Sequence, residues 1–233
     1  MTKTKRSLSA RFFRSSFKAA LYFAGGSIAL TAIYAVVPVP TTLTMLFDRN
    51  GATRDWTPIS DISPNLVRAV IAAEDGKFCS HDGFDREAIE KALTRNKQGG
   101  RMRGGSTISQ QTAKNVFLWQ GSGWTRYLRK IPEVYFTFLI ENIWGKRRIM
   151  EVYLNVAETG IGTYGAEAGA QRYFQKSAKN LTRTEAARLA AILPLPKKRP
   201  VNGVGGFTRR YGNSISARIR VVKRDGLDAC IYT

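Results

Sequence analysis

From residue 19 to residue 47 the chain carries no charged side chain, and its first part, AALYFAGGSIALTAIYAVVPV (residues 19–39), is apolar almost throughout. As a helix rising about 1.5 Å per residue this run reaches roughly 31 Å, the thickness of a hydrocarbon core. The pattern predicts one membrane-spanning helix. After Pro38 and Pro40, residues 40–60 read as a linker into a folded part over residues 61–233. There the apolar positions recur at helical spacing, in segments with readable ends. Ser63 before Pro64 is a cap with proline at the first helical position, and Leu66, Val67, Val70 and Ile71 make one face running toward Glu74. Asp85 caps a second helix through Ile89, Ala92 and Leu93, ended by the glycine-rich KQGGRMRGG; Ser106 reads as the cap of the next. Thr182 with Glu185 fits a capping box ahead of Ala186, Leu189 and Ile192, and Pro194 ends that helix. The fold class is mostly α with short strands, and no internal repeat is visible.

Residues 1–18 hold Lys3, Lys5, Arg6, Arg11, Arg14 and Lys18 and no acidic residue. This basic tail places the N-terminal side in the cytoplasm and everything after residue 39 outside. A cleaved signal peptide shares the basic start, but its apolar region is usually about 7 to 15 residues and ends in a small-x-small site. Ile33 and Ala35 make a poor one, so an anchor is expected.

Charge narrows the partners. Against 17 Asp and Glu stand 37 Lys and Arg, a formal net charge of +20, which calls for anionic partners: nucleic acid, phosphorylated ligands or a lipid surface. Outside the tail 31 basic residues still face those acids. An exported, anchored domain meets anionic lipid and phosphorylated lipid-linked substrates rather than nucleic acid. Two cysteines, Cys79 and Cys230, and a single histidine, His81, are too few for a zinc site of His and Cys ligands. Metal binding through carboxylates stays open.

Four polar segments carry the candidate chemistry. In EDGKFCSHDG (residues 74–83) Glu74 sits at the end of an amphipathic helix, where partial burial raises a carboxylate's pKa for base work; a solvated helix end is the plain alternative. In GGSTISQQTAKN (residues 104–115) a capped helix N-terminus attracts phosphate, and Thr107, Gln110, Gln111 and Lys114 fall at offsets 0, 3, 4 and 7, on one face. That face suits an anionic ligand or is an ordinary exposed Gln-rich surface. In RYLRKIPE, Arg126, Arg129 and Lys130 are spaced to converge on a diphosphate, with Glu133 as a second carboxylate, unless the run is a solvated charged face. Pro132 is expected to bend this helix. In KRRIMEVYLNVAETGIGTYG, Glu151 and Asn155 share a helix face and Gly160, Gly162 and Gly165 permit close backbone approach, which reads as structural.

In this order the segments resemble the glycosyltransferase family that makes the glycan strands of peptidoglycan, shared by monofunctional transglycosylases and class A penicillin-binding proteins. The patterns ED-x-x-F-x-x-H-x-G, G-x-S-T-I-x-Q-Q-x-x-K-N, R-K-x-x-E and K-x-x-I-x-E-x-Y-L-N-x-x-x-x-G are met at residues 74–83, 104–115, 129–133 and 146–160. The likeness continues through Tyr164, Gly165, Tyr173, Phe174 and LTRTEAARLAAILPLPKKRP, covering roughly residues 60–200. The length fits the monofunctional branch. There is no K-T-G, and the S-x-x-K of Ser15 to Lys18 falls in the tail, so no transpeptidase domain is expected.

The resemblance implies a lysozyme-like, two-lobed helical domain with a cleft, anchored in the bacterial inner membrane with its catalytic part periplasmic. It implies a lipid-linked glycan chain as donor and lipid II as acceptor. Glu74 is then the general base, and Lys114, Arg129, Lys130 and Glu133 sit on the donor side. The cations steady the diphosphate, and Glu133 holds them or helps bind a divalent metal, Mg or Mn; no tightly bound cofactor is implied. Arg126 is the nearest candidate for a further basic residue, and Ser106, Thr107, Gln111 and Asn115 are implied cleft contacts. Inner-membrane lipids are partners, and cell-wall transpeptidases and division proteins are the candidate protein partners. Phe12, Phe13 and Tyr22 are expected to keep the cleft near the bilayer. In an oxidising periplasm Cys79 pairs with Cys230 or stays an incidental buried thiol. A lytic transglycosylase or lysozyme-type hydrolase shares the general fold without needing the cation cluster, and a membrane-anchored scaffold is the non-enzymatic alternative.

Overall fold

The computed structural model describes residues 8–97, 105–121, 123–201 and 206–232. Residues 1–7 of the basic tail and 98–104 of the glycine-rich stretch, Gly104 included, lie outside the described residues. The chain divides into two units, Met1–Val37 and Pro38–Thr233.

The first unit is built on helix α1, Leu8–Val36. It starts ahead of residue 19, so Arg11, Arg14 and Lys18 ride on the same helix as the apolar run. It stops short of Pro38, because the residue before a proline is pushed out of the helical region. Residues 11–36 are long and apolar enough to cross a membrane, as a single-pass anchor requires. Hydroxyls within it bond to its own carbonyls, Ser27 Oγ to Ala24 (2.9 Å) and Thr31 Oγ1 to Ser27 (2.7 Å), which is how a helix satisfies such groups in hydrocarbon.

The second unit runs through α2 (Leu43–Leu46), β1 (Thr53–Arg54), α3 (Pro64–Glu74), α4 (Arg86–Lys97), α5 (Ile108–Phe117), α6 (Thr125–Leu128), α7 (Lys130–Ile143) and α8 (Lys146–Val156). It continues with β2 (Glu158–Gly160), β3 (Thr163–Tyr164), α9 (Ala166–Phe174), α10 (Arg183–Ile192), α11 (Phe207–Arg224) and α12 (Ala229–Tyr232). Mostly α with short strands is what the sequence pattern predicts. β3 lies between β1, to which it is parallel, and β2, to which it is antiparallel. Residues 40–60 supply α2, β1 and the buried Met45 and Ile59.

The ends of α3 and α10 follow from local chemistry. Ser63 Oγ accepts from the Asn65 amide with Pro64 at the first position, and Leu66, Val67, Val70 and Ile71 are buried where α3 packs on α10 and α11. In α10 both arms of the capping box form, the Thr182 hydroxyl accepting from the Glu185 amide and the Glu185 carboxylate from the Thr182 amide. A second packed group sets α5 against α7 and α8 around Ile108, Ile140, Trp144 and Ile149. The fourth polar segment is structural, as expected. Asn155 bonds both the amide and the carbonyl of Thr57 at 2.8 Å, and Glu151 accepts from the Ile59 amide at 2.9 Å. Gly165, at φ +87, has the Asn155 carbonyl oxygen 3.0 Å from where a Cβ would sit. Cys79 and Cys230 form a disulfide across 5.5 Å between Cα atoms, tying the loop after α3 to α12.

Candidate active site

Glu74 is the last residue of α3, and the burial of that helix's apolar face takes its carboxylate inward too. Gln111 Nε2, on α5, donates to Glu74 Oε2 at 3.0 Å. The other oxygen, Oε1, is buried and has no hydrogen-bond partner among the described residues. Burial raises the Glu74 pKa above the usual carboxylate range; the Gln111 bond and the charges of Arg199 and Lys114 pull it back, and Asp75 pushes it up again. Behind Gln111 the fully buried Tyr153 hydroxyl donates to Gln111 Oε1 at 3.4 Å, which turns the amide's NH₂ toward Glu74. Burial, with the charges of Glu74 and Asp75, holds the Tyr153 hydroxyl well above its ordinary pKa, so it stays a donor.

Beyond Gln111 opens a cavity of about 450 Å³, lined by Ser106, Gln110, Gln111, Lys114, Arg126, Tyr127, Arg129, Lys130 and Glu133. Lys114 is pushed below the usual lysine range, first by burial and next by the Arg129 charge, with Glu133 and Glu74 opposing. Glu133 is 4% exposed, takes a hydrogen bond from Lys130 Nζ at 2.6 Å and has Arg129 Nε at 3.6 Å. Arg129 is steadied from the other side, its Nη1 donating to the Trp119 carbonyl at 3.0 Å. Arg126, the more loosely placed of the basic candidates, lines the same cavity and bonds the Tyr127 hydroxyl at 3.2 Å. Lys114, Arg126, Arg129 and Lys130 thus line one cavity with a single carboxylate, Glu133. The surplus is positive, and a site with that balance takes an anion such as a diphosphate.

Several local expectations change. The cap of α5 is Thr107 rather than Ser106, because Thr107 and Gln110 bond each other's backbone amides in a capping box while Ser106 is left lining the cavity. Thr107 and Gln110 are buried by that role, but Gln110 still reaches the cavity, so the expected polar face narrows to Gln110, Gln111 and Lys114. Asn115 is buried beside Gln120 and, like Thr107, does not line the cavity. Pro132 acts at the break between α6 and α7. It lies in the first turn of α7, where no helical donor is needed, and the chain breaks at Arg129 because Pro132 cannot bond the Leu128 carbonyl that ends α6. Glu133 stays beside the cations.

Residues 41–219 match the family model described as Transglycosylase. The chain belongs to the transglycosylase family. A Caulobacter vibrioides protein named biosynthetic peptidoglycan transglycosylase is 50% identical over 214 residues, covering 91% of this chain and 92% of the relative. Proteins of the same name from Rhodospirillum centenum and Pseudomonas aeruginosa are 48% and 45% identical, over 88% and 85% of this chain and 89% and 88% of their own. The transglycosylase domain is the lysozyme-like helical fold that the resemblance implies.

Within the transglycosylase segment at residues 74–83 the second acid, Asp75, is structural. Its Oδ2 accepts from the Ile108 amide at 2.9 Å, at the start of α5, and His81 Nε2 lies 3.0 Å from both its oxygens. The Gly83 amide donates to His81 Nδ1 at 3.1 Å, so the proton is assigned to Nε2, facing Asp75. Thr107 Oγ1 donates to the Gly83 carbonyl at 2.7 Å, completing a clamp that fixes the ends of α3 and α5 relative to one another. Gly83 has φ +95, and a Cβ there would lie 2.9 Å from Thr137 Cγ2 and Glu141 Cγ. Gly83→Ala is therefore expected to cost roughly 1–3 kcal/mol, read as a lower thermal midpoint. The sequence reading did not assign Tyr127, Tyr153 or Arg199. Arg199 sits in the quoted LPLPKKRP stretch, but nothing in that run of cations marks one of them as near Glu74.

Proposed function

We propose that the protein is a peptidoglycan glycosyltransferase that polymerises lipid II into glycan strands. The observation that carries this is the Glu74 carboxylate beside a cation-lined cavity: Gln111 holds its Oε2, while its Oε1 is buried and has no hydrogen-bond partner among the described residues. In the reaction the acceptor's sugar 4-hydroxyl gives its proton to Glu74 Oε1 as its oxygen attacks the donor's anomeric carbon. The new C–O bond forms on the face opposite the departing group, so the centre inverts. The bond to the diphosphate breaks, and undecaprenyl diphosphate leaves as an anion that Lys114, Arg129, Lys130 and Arg126 receive without protonation. Ser106 and Gln111 contact the sugars at the cavity's edge, and Thr107 and Asn115 support α5 from behind.

Glu133 orients the cations. Its oxygens face Lys130 and Arg129, and among the described residues no cluster of three His, Cys, Asp or Glu side chains accompanies it. That donor set does not fit a divalent ion held by protein ligands, and no step is assigned to one.

The setting supports a lipid-borne substrate. Trp124, Tyr127, Leu128, Ile131, Val134 and Phe138 stand exposed along α6 and α7, the helices that also carry the cavity-lining Arg126, Tyr127, Lys130 and Glu133. Apolar groups beside an anion site match a ligand with a charged head and a hydrocarbon tail. We place α1 across the bacterial inner membrane, with its basic end cytoplasmic, the domain outside, and inner-membrane lipids, transpeptidases and division proteins as partners. Removing residues 1–39 is then expected to slow lipid II polymerisation in liposomes roughly tenfold or more, through lost effective concentration. Equal rates for the truncated and full chains would refute the tethering role.

A further inference from the structure

A second cation besides Lys114 is packed toward the Glu74 end of α3. Arg199 lies in the segment between α10 and α11 and is held on two sides. Its Nη1 donates to the Ala191 carbonyl at 2.7 Å, and its guanidinium sits 4.5 Å from the centroid of the Phe207 ring. Phe207 packs on Tyr211 with 5.4 Å between centroids, and the Tyr211 hydroxyl donates to the Ala73 carbonyl at 3.1 Å, one residue before Glu74. The stack therefore runs from Arg199 to the C-terminal end of α3. Arg199 is not among the residues lining the cation cavity, and among the described residues it pairs with no carboxylate.

This placement separates the two cations functionally. Lys114 shares its charge with Glu133 and, on the glycosyltransferase reading, with the donor's diphosphate. Once that anion is bound it cancels much of Lys114's pull on Glu74, and proton affinity at the carboxylate rises. Arg199, outside the cavity, keeps its full effect. We propose that Arg199 is a positioning residue for the base: fixed on Ala191 and Phe207, its guanidinium keeps the Glu74 carboxylate unprotonated while the donor diphosphate occupies the neighbouring cavity. The inference rests on that reading and deepens it. The other groups facing Glu74 are Asp75 on its own helix end, which favours the protonated form, Gln111 and Lys114 on α5, which favour the carboxylate, and the neutral Tyr153 on α8.

The test titrates Glu74 and the reaction in parallel. The full chain in detergent, with ¹³C-carboxyl-labelled glutamate, is followed by NMR from pH 4 to 9, the Glu74 resonance being the one missing in Glu74→Gln. The kcat for lipid II polymerisation is measured over the same range. Arg199→Gln is expected to raise both the Glu74 midpoint and the acid limb of kcat by roughly one pH unit, with rates converging with the parent's in the plateau. Arg199→Lys is expected to restore both. A Glu74 midpoint unchanged in Arg199→Gln, or a rate loss equal at every pH, overturns the proposal. If Glu74 shifts as expected while the parent makes no polymer, the charge coupling stands and the glycosyltransferase reading falls.

Discussion

Glu74→Gln is expected to lower lipid II polymerisation by about 10²- to 10⁴-fold while leaving the fold intact, the range a positioned general base contributes. The substitution keeps the shape and an acceptor for Gln111 Nε2, and removes only the proton-accepting charge. A second readout separates this from misfolding. Burial raises the Glu74 pKa, so the fold favours the protonated form. Stability from this group is present at low pH and is lost as pH rises from the unfolded carboxyl's pKa through the higher folded one. At neutral pH the ionised carboxylate therefore weighs against folding, and Glu74→Gln should melt no lower than the parent and somewhat higher. An inactive variant with a raised thermal midpoint is the signature of a residue kept for chemistry. The parent's kcat should fall on acidification with a midpoint above the usual carboxylate range, because only the ionised form accepts the proton.

The second large effect is at Lys114. Lys114→Met retains most of the side chain's volume and removes its charge, and is expected to reduce polymerisation about 10²- to 10³-fold, the scale of losing one fixed electrostatic stabiliser of a leaving group. Its burial, with Arg129 nearby, holds the lysine below its ordinary pKa, so in the parent the alkaline limb of the rate profile should begin below the usual lysine range. In Lys114→Met that limb should move toward the values of the remaining cations. The loss should appear mainly in kcat, since charge on the leaving diphosphate grows as its bond breaks. An unchanged rate would mean that the cavity beside Gln111 does not hold the departing group.

Much of this site is legible along the chain because its parts are local. The Ser63–Pro64 start, the Thr182 and Glu185 box and the apolar spacing of α3 rest on neighbours within one or two turns, and the structure keeps each of them. Glu74, Lys114 and Glu133 stand in dense polar motifs whose order carries the family. What a one-dimensional reading misplaces is finer. Ser106 and Thr107 are both good caps, and the choice falls to Thr107 because its hydroxyl also reaches the Gly83 carbonyl, a partner distant in sequence. The break between α6 and α7 falls at Arg129, three residues before Pro132 and next to the Leu128 carbonyl that lacks its donor, not at the proline itself. Tyr153 and Arg199 leave no local sign at all, since each reaches Glu74 only through tertiary packing, one through Gln111 and the other beside the Phe207–Tyr211 stack. The disulfide is likewise a matter of where α12 comes to rest.

The most direct test gives the purified full chain lipid II in liposomes and, separately, finished glycan strands, and sizes the products. Long strands from lipid II with release of undecaprenyl diphosphate, lost in Glu74→Gln, and no change in the finished strands are the predicted result. Shortening of finished strands with no polymer from lipid II would contradict the account, because it would make Glu74 the acid of a hydrolase and leave the cation-lined cavity without its diphosphate.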